Sequence, residues 1–150
     1  MALVSDLPTV AHAIQQSVAP VFLLTAVSGM IGAIAGRLAR IIDRARLVED
    51  RARESNDPEF LERAFKELGE LRLRGRLANG GIALLTFCAF LIGLTIIVLF
   101  VGETTGFKVS RWAVGGFLSG VVSFLLALLC FLAETLIATR LLNFHLPGKG

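Results

Sequence analysis

Glu134 is the residue of this sequence whose type and surroundings first suggest chemistry. It lies in LCFLAETLIATR, residues 129–140, near the end of a run that is otherwise almost wholly apolar. A carboxylate in such a place is either a proton or ion site or a structural anchor that pairs with a neighbouring cation. The choice between these two roles depends on how deeply the apolar run buries the carboxylate.

The other reactive side chains form no catalytic pattern. Cys88 and Cys130 lie inside apolar runs, where a cysteine is typical of a small apolar residue rather than of a disulfide or metal pair. The sequence contains no nucleophile–base pairing, no glycine-rich phosphate loop before a helix and no cysteine–histidine cluster at metal-ligand spacing. We therefore expect a protein that is not an enzyme, with no catalytic residue, no metal site and no cofactor.

Three apolar stretches position these residues, and each is long enough to cross a bilayer. They occupy residues 17–36, 77–101 and 112–136. A helix of about 20 apolar residues crosses the roughly 30 Å of hydrocarbon in a bilayer. We expect the first stretch to be retained, because MALVSDLPTV lacks the basic residues of a signal peptide. The sequence predicts an all-α membrane protein with three transmembrane helices.

The distribution of charge predicts the orientation of these spans. Of the 15 lysine and arginine residues, 11 lie between the first two spans, and the segment before the first span has none. Basic residues concentrate in cytoplasmic loops, so the N-terminus is expected outside and the C-terminus inside. The remaining segments are then an outer amphipathic lead-in, an outer loop and a cytoplasmic tail, at residues 1–16, 102–111 and 137–150.

The basic loop, residues 37–76, is predicted to form a cytoplasmic antiparallel helical hairpin. Apolar residues recur at intervals of three and four in both halves, from Ile34 to Ala52 and from Leu61 to Ala78. A disordered charged loop would not keep such a stripe. The break SNDPEF supplies Asp57 as an N-cap and Pro58 as the first helical residue. Pairs with the acid four residues before the base are expected to stabilise the arms: Glu49–Arg53, Glu59–Arg63, Glu62–Lys66 and Glu70–Arg74.

Six arginines near the inner membrane boundary are expected to form an anionic-lipid collar. The guanidinium fork matches a phosphate group, and each juxtamembrane basic residue contributes about 1 kcal/mol toward an anionic surface. The alternative is that these residues only enforce the topology. The collar consists of Arg37, Arg40, Arg44, Arg72, Arg74 and Arg76. The expected partners are thus the lipid bilayer and its anionic phospholipid, and not nucleic acid, because no aromatic residues are interleaved with the basic ones.

Glu134 falls near the inner boundary of the hydrocarbon. It follows Trp112, the expected outer anchor, by 22 residues, or about 33 Å of untilted helix. A proton path needs a chain of ionisable groups, and no second acid lies within a span. We therefore expect an interfacial charge clamp between Glu134 and Arg37 or Arg76, which flank the first two spans. Two further arginines at this level are also candidates: Arg40 and Arg74.

Two pairs of glycines suggest close helix packing. The first span contains Gly32 and Gly36, and the third contains Gly116 and Gly120. Small residues four apart let two helices approach closely in a membrane. Packing within one chain and packing between copies of the chain both explain such pairs.

Four segments of the chain carry a resemblance to a known family: APVFLLTAVSGM, GRLARIIDRAR, ELGELRLRGRLANGGIAL and CFLAETLIAT. They resemble the bacterial membrane family named domain of unknown function 2721. The resemblance extends over nearly the whole chain, and GRLARIIDRAR is its most specific part. It implies the three-span architecture and a bacterial inner (plasma) membrane, and it implies no activity.

Two classes of function fit these features. The favoured one is a non-enzymatic scaffold or regulatory subunit whose hairpin binds a membrane-protein partner or a second copy of the chain. The alternative is a small homo-oligomeric ion channel or transport protein whose arginine collar lines a cytoplasmic vestibule. A channel requires several copies, since three helices alone enclose no pore.

Overall fold

The computed structural model describes residues 7–105 and 110–143, which form three α-helices. Helix α1 spans Leu7–Glu54, α2 spans Pro58–Thr105 and α3 spans Ser110–Asn143. Each is long and apolar enough to cross a membrane. The predicted all-α class with three candidate membrane spans is therefore confirmed. Parts of the predicted lead-in, outer loop and tail lie outside the described residues: 1–6, 106–109 and 144–150.

The helices do not stop where the apolar stretches end. Helix α1 starts at Leu7, before the predicted span, and continues through the boundary at residue 36. Helix α2 likewise continues through residue 77, and α3 extends past residue 136 to Asn143. A helix satisfies its own backbone hydrogen bonds both in lipid and in water, so a change of environment does not require a break.

The break between α1 and α2 is three residues long and ends in a helix cap. The Asp57 carboxylate accepts a hydrogen bond from the backbone N–H of Glu59 at 3.1 Å. The carbonyl oxygen of Asp57 accepts the first helical bond, from the N–H of Leu61 at 3.0 Å. Pro58 is the first helical residue, where its missing N–H costs no hydrogen bond. The predicted cap is confirmed.

Hydroxyl side chains in the apolar parts of the helices bond to the preceding turn of their own helix. The hydroxyl of Thr95 donates to the Leu91 carbonyl oxygen at 2.8 Å, and that of Ser119 donates to Gly115 at 2.8 Å. These bonds remove the cost of placing an uncompensated hydroxyl in apolar surroundings.

The described residues belong to two compact units, and the first draws on Met1–Ile31 and Leu84–Leu126. In this unit the small residues of α3 lie directly against α2. A Cβ added at Gly116 would lie 2.7 Å from the Thr95 hydroxyl oxygen, and one at Gly120 would lie 2.9 Å from Cδ1 of Ile92. These two glycines therefore pack within the chain.

A hydrogen bond between the same two helices supports this close approach. The hydroxyl of Ser123 donates to the carbonyl oxygen of Leu84 at 2.8 Å. Ser123 is buried, so the bond satisfies a polar group that has no access to solvent. The buried apolar residues of α2 in this unit are Leu85, Cys88 and Ile92.

The second unit draws on Gly32–Ala83 and Ala127–Gly150, and its core repeats every seven residues. The repeating positions are Ile34, Ile41 and Val48 on α1, Ala64, Leu71 and Ala78 on α2, and Ala127 and Glu134 on α3. A seven-residue repeat keeps one stripe of a helix facing its neighbours. All six positions on α1 and α2 belong to the predicted stripes, so the buried face of both segments follows from the sequence.

Candidate functional site

Three charged residues from three helices meet in the second unit. Glu134 of α3 is 1% exposed and lies between Arg37 of α1 and Arg74 of α2. Arg74 contacts Oε1 of Glu134 twice, through Nη2 at 2.9 Å and through an Nε–H donated at 3.0 Å. Arg37 places its Nη2 at 2.7 Å from Oε2. We call these three residues the charge triad.

The position of Glu134 along α3 explains its burial. Ala113, Gly120, Ala127 and Glu134 follow one another at intervals of seven residues, and all four are buried. The carboxylate therefore occupies a position where the repeat otherwise places alanine or glycine. Because the burial of an unpaired carboxylate is costly, this position requires a cationic partner.

The two arginines hold the carboxylate differently. Arg74 donates a hydrogen bond to Oε1 of Glu134. Arg37 forms an ion pair with Oε2 but no hydrogen bond, since no N–H or O–H group of the described residues points at Oε2 with hydrogen-bond geometry. Arg37 is also placed by an aromatic ring, because its guanidinium carbon lies 5.2 Å from the centroid of Phe131. Such a cation–π contact stabilises a guanidinium group that lies above the face of an aromatic ring. Phe131 and Glu134 are three residues apart on α3, so one helix face supplies both contacts.

The partners of Glu134 differ in part from the predicted clamp. Arg37 contacts the carboxylate, and the second arginine is Arg74 rather than Arg76. Residues two apart on a helix point about 200° away from each other, so only one of these two arginines can face α3. Arg74 is half-buried and Arg76 is exposed. The expected pair of Arg74 with Glu70 is accordingly replaced by the contact with Glu134.

The predicted ion pairs along the arms form in part. The structure contains Glu49–Arg53 at 2.7 Å and Glu59–Arg63 at 3.1 Å. It also contains a pair between helices that sequence reasoning missed, in which the Nε–H of Arg44 donates to Glu67 at 2.7 Å. The opposite charges of these residues are visible in the sequence, but their proximity depends on how α1 and α2 are aligned.

The collar arginines fall into two groups. Four of them line an open pocket of about 260 Å³ in the second unit, together with two apolar residues. The lining consists of Arg37, Arg40, Arg44 and Arg74 with Ile41 and Leu71. Arg72 and Arg76 are exposed and do not line this pocket. Arg74 thus lies with Arg37, Arg40 and Arg44 of α1, and not with Arg72 and Arg76, which are its neighbours in the sequence.

The surroundings of Gly32 and Gly36 on α1 are more open than those of Gly116 and Gly120 on α3. Apart from the adjacent residues and the nearby backbone of α1 itself, no described atom lies within 4 Å of a Cβ built at Gly32 or Gly36. The two cysteines are free, with Cys88 buried and Cys130 half-buried. Over residues 7–105 and 110–143, no group of three or more histidine, cysteine or acidic residues is placed to hold a metal.

One family matches most of this chain. A family model described as "Protein of unknown function (DUF2721)" matches residues 17–144. The chain belongs to this family. The matched region contains the entire charge triad and all six collar arginines. No curated protein matches the chain, and no solved structure matches it either. The match confirms the resemblance of the sequence to DUF2721, a family whose description assigns no function.

Proposed function

We propose that this DUF2721 protein is a non-enzymatic scaffold or regulatory subunit of the bacterial inner membrane, acting through a cytoplasmic helical hairpin at residues 37–76. The observation that carries the proposal is the charge triad. It joins Glu134 of α3 to Arg37 and Arg74, which stand at the bases of the two proposed arms. Both carboxylate oxygens have cationic partners, and using Glu134 as an ion carrier would leave two arginines unpaired.

Contacts between α1 and α2 in the second unit support the hairpin. A Cβ at Gly75 would lie 3.9 Å from side-chain carbons of Leu38 and Ile41, and farther along α1 Arg44 pairs with Glu67. Residue numbers therefore rise along α1 while they fall along α2, as they do in an antiparallel pair. The cytoplasmic location rests on the 11 basic residues between the first two spans. The six collar arginines would then face anionic headgroups.

Exposed apolar side chains on the arms supply a contact surface for a partner. Phe65 is 68% exposed on α2, next to Lys66, and Ile42, Leu47 and Leu73 are exposed as well. In the cytosol such residues have no lipid to cover them. Exposed aromatic residues are enriched where proteins bind one another. We propose that a membrane-protein partner or a second copy of the chain covers Phe65.

Photo-crosslinking tests this proposal with a matched pair of phenylalanine positions. A photoreactive phenylalanine analogue replaces either Phe65 or Phe22, which is 71% exposed on the apolar part of α1. In membranes of cells that express the full chain, we expect a discrete protein adduct at Phe65 and only lipid adducts at Phe22. Protein adducts of equal yield at both positions, or none at Phe65, would contradict the proposal.

A small homo-oligomeric ion channel or transport protein is the second candidate. It is favoured by the open face of α1, since no described residue of α2 or α3 lies within 4 Å of a Cβ built at Gly29, Gly32 or Gly36. Such a face allows close contact with a helix of another copy in a membrane. Copy number in nanodiscs and ion flux in liposomes separate the candidates. A ring of several copies with flux supports the channel, and a monomer or dimer without flux supports the scaffold.

A further inference from the structure

We propose that the arginine-lined pocket of the second unit binds one phosphate group, carried by an anionic phospholipid or by a soluble phosphate compound. The inference rests on the proposed arginine collar, and it assigns phosphate binding to four of the six collar arginines. These four are Arg37, Arg40, Arg44 and Arg74. Arg72 and Arg76 lie outside the site.

The charge balance of the lining leaves positive charge unmatched. Arg37 and Arg74 share one carboxylate, that of Glu134, and Arg44 pairs with Glu67. Within the described residues, the side chain of Arg40 has neither an ion pair nor a hydrogen bond. Four guanidinium groups thus face two carboxylates, which leaves an excess of two positive charges. A phosphate group carries one or two negative charges and accepts charge-assisted hydrogen bonds from guanidinium forks.

The shape of the pocket fits a small phosphate ester. Its volume of about 260 Å³ lies just below the range of about 300–1,000 Å³ for sites of drug-sized molecules, which suits a smaller ligand. Ile41 and Leu71 line it from the buried core of the unit, so its apolar part is held by helix packing. A cationic rim beside an apolar wall suits a ligand with a phosphate at one end and carbon atoms at the other.

Two of the four arginines are also placed at a suitable depth for a lipid headgroup. Arg37, Arg40 and Arg44 follow the predicted end of the first span at residue 36, and they extend over about 11 Å of helix. A headgroup layer adds roughly 5–8 Å to each side of the hydrocarbon. Under the proposed topology, Arg37 and Arg40 therefore lie at the level of the phospholipid phosphates, and Arg44 lies just beyond the headgroup layer.

Arg40 is the lining arginine best suited to a test, because its side chain has no ion-pair or hydrogen-bond partner among the described residues. Replacing Arg37, Arg44 or Arg74 would remove an ion-pair partner of Glu134 or Glu67, whereas Arg40→Gln leaves the contacts of both acids intact. Arg72→Gln is the matched control, since it removes one charge from an exposed arginine outside the pocket. Arg40→Lys is a second variant, which keeps the charge but lacks the planar fork.

The experiment measures binding to the full chain, purified in detergent and freed of lipid, by calorimetry in phosphate-free buffer. The ligands are dioctanoyl phosphatidylglycerol, glycerol 3-phosphate and inorganic phosphate. Because a hydrogen bond to a charged group contributes substantially to affinity, we expect Arg40→Gln to raise Kd about tenfold. Arg40→Lys should give a smaller increase, and Arg72→Gln should stay within about twofold of the wild type.

The three ligands identify the source of the phosphate. Binding of phosphatidylglycerol alone assigns the pocket to a lipid headgroup, and competition by either soluble ligand assigns it to a free phosphate compound. Equal losses in Arg40→Gln and Arg72→Gln would overturn the pocket but leave the diffuse collar standing. Failure of the wild type to bind any of the three would overturn both the pocket and the collar.

Discussion

At the scale of single residues, Glu134 occupies a core position that the rest of α3 fills with alanine or glycine. The carboxylate is tolerated because one arginine meets each of its oxygens. The side chains of Arg74 and Arg37 are 19% and 28% exposed, so neither partner of Glu134 is fully buried. Loss of the carboxylate should therefore cost less than the about 3–5 kcal/mol typical of breaking a fully buried pair.

Glu134→Gln is expected to destabilise the protein without preventing membrane insertion. The substitution removes the charge that two half-buried arginines share, and we expect a loss of about 1–3 kcal/mol. In a thermal melt of the purified protein this corresponds to a fall of about 3–10 °C. Glu67→Gln is the matched control, because its pair with Arg44 is solvent-exposed and contributes at most about 1 kcal/mol. Unchanged melting of Glu134→Gln, together with loss of a pH-dependent ion flux, would refute the structural role.

Arg74→Gln and Arg76→Gln separate the two arginines that the sequence alone does not distinguish. Arg74→Gln leaves Oε1 of Glu134 without its aligned donor, whereas Arg76 is exposed and does not contact this acid. We expect Arg74→Gln to lower the melting temperature and Arg76→Gln to leave it within about 1 °C, as is usual for surface changes. Equal effects in the same melting assay would show that Arg74 contributes nothing beyond its charge.

At the scale of the helices, glycine has opposite surroundings in α1 and α3. Gly116 and Gly120 of α3 lie so close to α2 that a methyl group has no room at either position. The α1 glycines face space that the described residues do not fill. The same sequence pattern therefore reflects packing within the chain in α3, and it leaves a free face in α1.

Gly120→Ala and Gly36→Ala test this difference with one added methyl group each. At Gly120 the new Cβ would meet Cδ1 and Cγ1 of Ile92 at 2.9 and 3.2 Å. Ile92 is fully buried, so the strain of overpacking should cost about 1–3 kcal/mol. At Gly36 the isolated protomer should be unaffected, or gain up to about 1 kcal/mol from the better helix former. These changes are read from thermal melts in detergent.

The copy number of the Gly36→Ala variant is measured as a control, because it shows whether a second copy of the chain packs against α1. A variant that melts like the wild type and keeps the same copy number in nanodiscs has a free α1 face. If Gly36→Ala instead loses stability as Gly120→Ala does, and its copy number falls, a second copy of the chain packs on α1. That result would favour the channel over the scaffold.

At the scale of the whole molecule, the decisive property is the asymmetry of charge between the segments outside the spans. Positive charge is concentrated between the first two spans and absent before the first. Translocation of a loop rich in lysine and arginine is disfavoured, so this asymmetry predicts which side each loop occupies. The proposed hairpin and the phosphate pocket both depend on this orientation.

Cysteine labelling in intact cells measures the orientation directly. Cys88 and Cys130 are first replaced by alanine, and a single cysteine is then introduced at Asn56 or Ala11, both exposed. A membrane-impermeant maleimide should label Ala11→Cys from outside, and it should label Asn56→Cys only after the cells are opened. Labelling of Asn56→Cys in intact cells, with Ala11→Cys protected, would reverse the topology.

Four features can be read from the amino-acid sequence without the structure: the helical class, the three candidate spans, the break that Asp57 caps, and the buried faces of residues 34–78. Each of these depends on neighbouring residues or on one repeat along a helix, and such local patterns can be read without knowing what the helix packs against. The sequence also identified Glu134 as the carboxylate that needs a cation.

Packing between the helices decided that Arg74 rather than Arg76 contacts Glu134. It also decided which arginines line the pocket, and which glycines touch a neighbouring helix. These outcomes depend on the rotation and alignment of each helix relative to the others. Two arginines at the same depth can point about 200° apart, and their rotation is set by side chains of other helices distant in sequence.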